Sequence, residues 1–296
     1  MGTNCFEEKQ EIKPWYNEHK KITKQNNTNK TSGSKNYGEA PVCTKSSSGN
    51  DNHIIAEIEI GENSVNKDIR IINSYESFER KRNKTTFDEK LRNEIEIRKC
   101  KIFIEGNLIP FSYIYKFDKE GTFKIKYCFK NNLKSLYGLF CECDYLKTLN
   151  FSNFNSNDAI STEYMFFCCR SLSKLNLTNF NTKNVTNMQY MFCECRSLSK
   201  LNLTNFNTDN VTDMQYMFYY CYSIKELNLS SFNTNNVTSM EYMFYNCRSL
   251  TDLDLSNFKT QKNTEVGQMF SYCEHLTKSL LICYDEKILK AASSLI

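Results

Sequence analysis

The chain has 296 residues, enough to bury one or two cores, and a formal net charge of only +4. It holds 21 Phe, 18 Tyr and 14 Cys against 9 Gly, 3 Pro and 1 Trp. No basic block with interleaved aromatics occurs, which argues against nucleic acid as a partner. No stretch approaches the roughly eighteen apolar residues of a transmembrane helix.

The opening Met1-Gly2-Thr3-Asn4-Cys5-Phe6-Glu7-Glu8 lacks the apolar core of a secretory signal. A cytoplasmic location with reduced cysteines is therefore expected, and a cell-surface location by an unrecognised route is the alternative. Gly2 and Cys5 partly match an acylated N-terminus, with Phe6 standing where the motif wants Ser or Thr.

Residues 1–52 are rich in Asn, Lys, Thr and Ser and read as a disordered polar tail, too poor in apolar surface to offset chain entropy. Residues 53–130 read as a small antiparallel β domain that caps the C-terminal part of the chain. Ile54–Ile60 alternates in part, Gly106-Asn107 marks a turn, and Phe123, Ile125, Tyr127 and Phe129 sit two apart on one face. The charged stretch from Ser74 to Asn93 reads as a loop or short helix.

Residues 131–283 are periodic. Cys143, Cys169, Cys195, Cys221, Cys247 and Cys273 are each 26 residues apart, and Phe140, Phe166, Phe192, Phe218, Phe244 and Phe270 keep the same step. Such a period is the mark of a repeat array. Within one unit, Leu172-Ser-Lys-Leu-Asn-Leu177 predicts a short strand with Leu175 and Leu177 inward and Asn176 outward. Thr186-Asn-Met-Gln189 fits a capping box, with Val185 and Tyr190 at staple spacing, and recurs as Thr212–Gln215 and Thr238–Glu241. Each unit is thus expected to be one strand and one short helix. The expected fold class is an α/β repeat solenoid: a right-handed leucine-rich-repeat coil with a parallel β-sheet and short convex helices, preceded by the antiparallel β domain. Residues 284–296 are expected to form a C-terminal cap.

The unit Asn184-Val-Thr-Asn-Met-Gln-Tyr-Met-Phe-Cys-Glu-Cys-Arg-Ser-Leu-Ser-Lys-Leu-Asn-Leu-Thr-Asn-Phe-Asn-Thr208 resembles the BspA-like leucine-rich-repeat family. The resemblance covers about half the chain. It implies surface display and adhesion or host-protein binding, as in bacterial members, and brings no catalytic residues.

Six cysteines strung along a stack do not converge on one point, so they are expected to be a structural ladder in the core, with no metal and no cofactor. The outward positions Lys174, Asn176, Lys200, Asn202, Glu226, Asn228, Asp252 and Asp254 form the candidate partner-binding face on the concave side. Its charge runs from lysine to carboxylate, and stacked Asn amides are an alternative, purely structural reading. The histidines His19, His53 and His275 are scattered, and no catalytic motif occurs. The function expected is therefore a non-enzymatic scaffold for a protein partner, with an exported adhesin or antigen as the alternative.

Overall fold

The computed structural model of the protein describes residues 52–295. Gly2, Cys5 and nearly all of the polar stretch 1–52 lie outside them.

Strands β1 (His53–Ile60), β3 (Lys101–Ile104), β4 (Asn107–Ile109) and β6 (Gly121–Cys128) form an antiparallel group, with β1 paired to β6 along its whole length. Alternation buries Ile54, Ala56, Ile58 and Ile60 against Phe123, Ile125 and Tyr127. The β3–β4 hairpin turns at Glu105 and Gly106, whose φ values of 49° and 80° match the strand twist of a two-residue turn. The short β2 (Ile69–Arg70) and β5 (Ile114–Tyr115) pair apart from this group. Between them lie helices α1 (Tyr75–Lys81), with the Ser74 hydroxyl accepting from the Ser77 N–H, and α2 (Glu94–Ile97).

The expected coil is corrected in three respects. First, the antiparallel strands are not a separate domain. β1 also pairs with β7 (Leu146–Asn153), and β7 runs parallel to β8 (Lys174–Asn176), so one mixed six-stranded sheet runs β4-β3-β6-β1-β7-β8. Second, the parallel sheet is not continuous. Lys200–Asn202 forms no strand, and a separate three-stranded sheet joins β9 (Glu226–Asn228), β10 (Asp252–Asp254) and β11 (Leu281–Ile282). Third, the convex helices are absent; the segments expected to form them are runs of turns.

The reason is backbone conformation. Tyr164, Tyr190, Tyr216 and Tyr242 have φ of 54–58°, and Cys168, Glu194, Tyr220 and Asn246, four residues on, have φ of 59–60°. Left-handed residues interrupt a right-handed helix. The hydrogen bonds a helix would make within itself go to the next unit instead. Met188, Tyr190, Phe192 and Glu194 donate their N–H to the carbonyls of Asp213, Gln215, Met217 and Tyr219 at 2.7–3.1 Å. The intervening N–H groups close local turns, as Cys193 does to Tyr190 at 3.2 Å. The capping box does not form either: the Thr186 hydroxyl donates to the Ile160 carbonyl (3.2 Å), and the Gln189 N–H is taken by the Asn187 side chain (2.8 Å). A helix of this length is marginal alone, so bonds between units prevail.

Side chains stack in the same register. Phe166, Phe192, Phe218 and Phe244 lie face to face with centroids 5.5–5.6 Å apart. One apolar core runs from Ile54 to Leu295. After β11, helix α3 (Glu286–Ala291) is capped by Asp285, which also accepts from the Thr260 N–H and hydroxyl.

Candidate functional site

The predicted binding positions fall on the edges of β8, β9 and β10 and on the unstranded Lys200–Asn202 between them. Lys174, Asn176, Lys200, Asn202, Glu226, Asn228 and Asp252 are exposed and Asp254 is half-buried. In the parallel register Asp252 lies beside Glu226, and Asp254 beside Asn228. The row therefore runs from two lysines to three carboxylates. Lys147, which would extend its basic end, is already paired with Glu59 of β1 at 2.8 Å.

The outward Asn side chains are engaged within their own units. The Oδ1 atoms of Asn176, Asn202 and Asn228 accept from the backbone N–H two residues on at 3.0–3.1 Å, and Asp254 does so from Ser256 at 2.8 Å. These are Asx turns that end each strand segment. Asparagines that do bond between units are others: Asn179 donates to the Ser152 carbonyl (2.8 Å), Asn205 to that of Phe180 (2.8 Å) and Asn257 to that of Ser230 (2.7 Å).

All six ladder cysteines are buried. Cys169, Cys195, Cys221, Cys247 and Cys273 donate their S–H to the carbonyls of Phe140, Phe166, Phe192, Phe218 and Phe244, at 3.0–3.2 Å. Cys143 points to its own unit, 3.9 Å from the Cys141 carbonyl. A cysteine here fills apolar space and serves a carbonyl that alanine would leave bare. Burial pushes these thiols up, that of Cys273 to about 12, so they are poor nucleophiles. Among the described residues no group of three His, Cys, Asp or Glu is placed to hold a metal ion.

Two further rows were not singled out as surfaces in the sequence. Tyr164, Tyr190, Tyr216 and Tyr242 stack at 4.6–4.8 Å within 7° of parallel, beside a row of polar groups in which Asn187 donates to Glu163 (3.0 Å) and Gln215 to Glu241 (2.9 Å). Helix α1 lies over its first rung, with Phe78 at 5.3 Å from Tyr164 and the Arg82 guanidinium 6.0 Å above that ring. Burial first, then the nearby carboxylates Asp213 and Glu79, push Glu163 up to about 7. The other row is charged. Arg170 bridges Asp144 (2.8 Å) and Glu194 (3.0 Å), and Tyr222 sits between Arg196 and Arg248 at 5.5 and 5.4 Å. The 26-residue step of both rows could have revealed them.

The repeating units match the family described as "Mycoplasma protein of unknown function, DUF285" over residues 115–225 and 160–282, more than half of the chain. The chain belongs to that family. As a DUF285 protein it carries the match across β5 through β11, the part in which bonds run between units. No curated protein and no solved structure matches the chain significantly. No helix among the described residues is long and apolar enough to cross a membrane.

Proposed function

We propose that this DUF285 protein is a non-enzymatic scaffold that binds a protein partner along the row Lys174, Asn176, Lys200, Asn202, Glu226, Asn228, Asp252 and Asp254. One observation carries the reading: the row is exposed except at half-buried Asp254, its acidic end is paired in register, and its charge is graded from basic to acidic along the repeats. A partner with the opposite gradient docks in one direction only, because the reversed pose sets like charges together. The Asn side chains, locked in Asx turns, are rigid and lose little entropy on binding. The repeat's resemblance to BspA-like proteins supports a binding role. The reading places the chain in the cytoplasm, where its buried thiols stay reduced.

The test is capture from the native cell with full-length protein as bait, in parallel with the double charge reversal Lys174→Glu/Lys200→Glu. A partner lost by about tenfold or more with the reversal supports the reading, that factor being about 1.4 kcal/mol. A partner held equally well by both baits overturns it.

A further inference from the structure

The two ends of the repeat array differ in how their backbone groups are satisfied. At each internal junction four N–H groups of one unit donate to four carbonyls of the next. At the last complete junction Met240, Tyr242, Phe244 and Asn246 donate to Glu265, Gly267, Met269 and Ser271 at 2.8–3.0 Å. The first unit therefore has carbonyls left over, and Asn73 and Asn93 of the preceding region cover them. Asn93 Nδ2 donates to the carbonyls of Ser135 (3.2 Å) and Tyr137 (3.0 Å). Asn73 serves those of Leu139 through its N–H (2.8 Å) and Cys141 through its Nδ2 (3.0 Å).

The last unit has the complementary set left over. By the same register its outward donors include the N–H groups of Gln268, Phe270 and Tyr272, and among the described residues nothing accepts from them. All three residues line an open hollow of about 290 Å³, to which Leu276, Ser294 and Leu295 also contribute. Phe270 is buried beneath it, whereas Tyr272 is 46% exposed at its mouth. Exposed N–H groups without a protein acceptor are what an incoming strand pairs with, and a row of them beside a hollow of mixed polar and apolar lining is an arrangement that captures a peptide backbone.

We propose that the edge formed by Gln268, Phe270 and Tyr272 is a second docking site, which takes a peptide segment of another protein by backbone hydrogen bonding. The segment presents alternate carbonyls to the three N–H groups and seats one apolar side chain in the hollow over Phe270, Leu276 and Leu295. Complementarity selects this occupant over a second copy of the chain. The same end of a second copy brings donors against donors, and at the opposite end the carbonyls are already served by Asn73 and Asn93. The site shares no residue with the charged row and does not rest on the function proposed for it.

The experiment is amide hydrogen exchange by NMR on the full chain, with a synthetic peptide of residues 237–250 as probe. Within the protein this stretch supplies the Ser239, Glu241, Met243 and Tyr245 carbonyls that accept from the preceding unit at 2.9–3.0 Å. Without peptide, Gln268, Phe270 and Tyr272 should exchange about a hundredfold faster than Tyr242, Phe244 and Asn246. Millimolar peptide should slow those three amides by about tenfold or more, and Ser271→Trp, which fills the hollow, should remove the slowing while Tyr242 and Phe244 stay protected. A scrambled peptide serves as a control that does not depend on how the variant folds. No slowing by the 237–250 peptide, or equal slowing by the scrambled one, overturns the proposal. So does slow exchange without peptide, which would mean that the edge is already covered. A dilution series then tells whether the cover is a second copy or residues 1–51 of the same chain.

Discussion

The antiparallel strands of 53–128 and the repeats of 131–283 bury their backbones by opposite means. In the first region, hydrogen bonds lie along long strands, and β1 alone exchanges them with both β6 and β7. In the second, regular elements after β7 are short or missing, yet each unit gives its N–H groups to its successor in an unvarying register. Order in the repeats thus resides in the junctions, and a turn-rich segment is as well satisfied as a strand. The core should then be sensitive wherever a junction is weakened, whether or not a named element is touched.

Four substitutions break or sharpen this contrast, measured by urea unfolding. Phe218→Ala removes a ring stacked on both Phe192 and Phe244, and should cost about 3–5 kcal/mol although it lies in no helix or strand. A cost below about 1 kcal/mol would mean that the junctions are not where stability lies. Asn93→Ala uncovers the Ser135 and Tyr137 carbonyls and also removes the acceptor for the Tyr75 N–H (2.8 Å), so about 2–3 kcal/mol is expected. That loss would show how far the first region stabilises the second by closing its end.

Glu163→Gln reports on charge in the junctions. The native carboxyl titrates near 7 and the unfolded one near 4.5, so the folded state holds the extra proton between these values. Stability from this group is complete below pH 4.5 and is lost as pH rises through 7. The Gln variant, which stays neutral, should be more stable than wild type by on the order of 1 kcal/mol at pH 8 and equal to it at pH 4. A difference that grows on acidification would refute the assignment. Cys221→Ala is the smallest test. It removes the 3.1 Å S–H bond to Phe192 and a little packing, for about 1 kcal/mol.

The periodic spacing of Phe, Cys and Leu was legible in the residues, and so was which of them are buried. The secondary structure was not. Thr186-Asn-Met-Gln189 has every local feature of a helix start, and nothing in it announces that Tyr190 and Glu194 adopt positive φ. That choice depends on acceptors 26 residues away, which a local pattern does not weigh. The interruption at Lys200–Asn202 was hidden for a related reason: its residues are identical to those of β8, so strand and near-strand share one pattern. The exposed charge row was legible by position, whereas the Asx turns that hold its Asn side chains needed three-dimensional geometry. The Asn93 cover ends a stretch whose charge suggested only a loop or short helix, and Asn73 stands immediately before it; their role belongs to backbone groups 42–68 residues further on.

Because every internal junction uses the same four donors and acceptors, any unit can be neighbour to any other. Unequal crossing-over that drops residues 187–212, or duplicates them, would preserve each bond in the series, while a slip of a few residues would break them all. The gene is thereby free to change the protein's length in whole steps, with the two dissimilar ends held constant, so that reach becomes an evolvable quantity independent of fold stability.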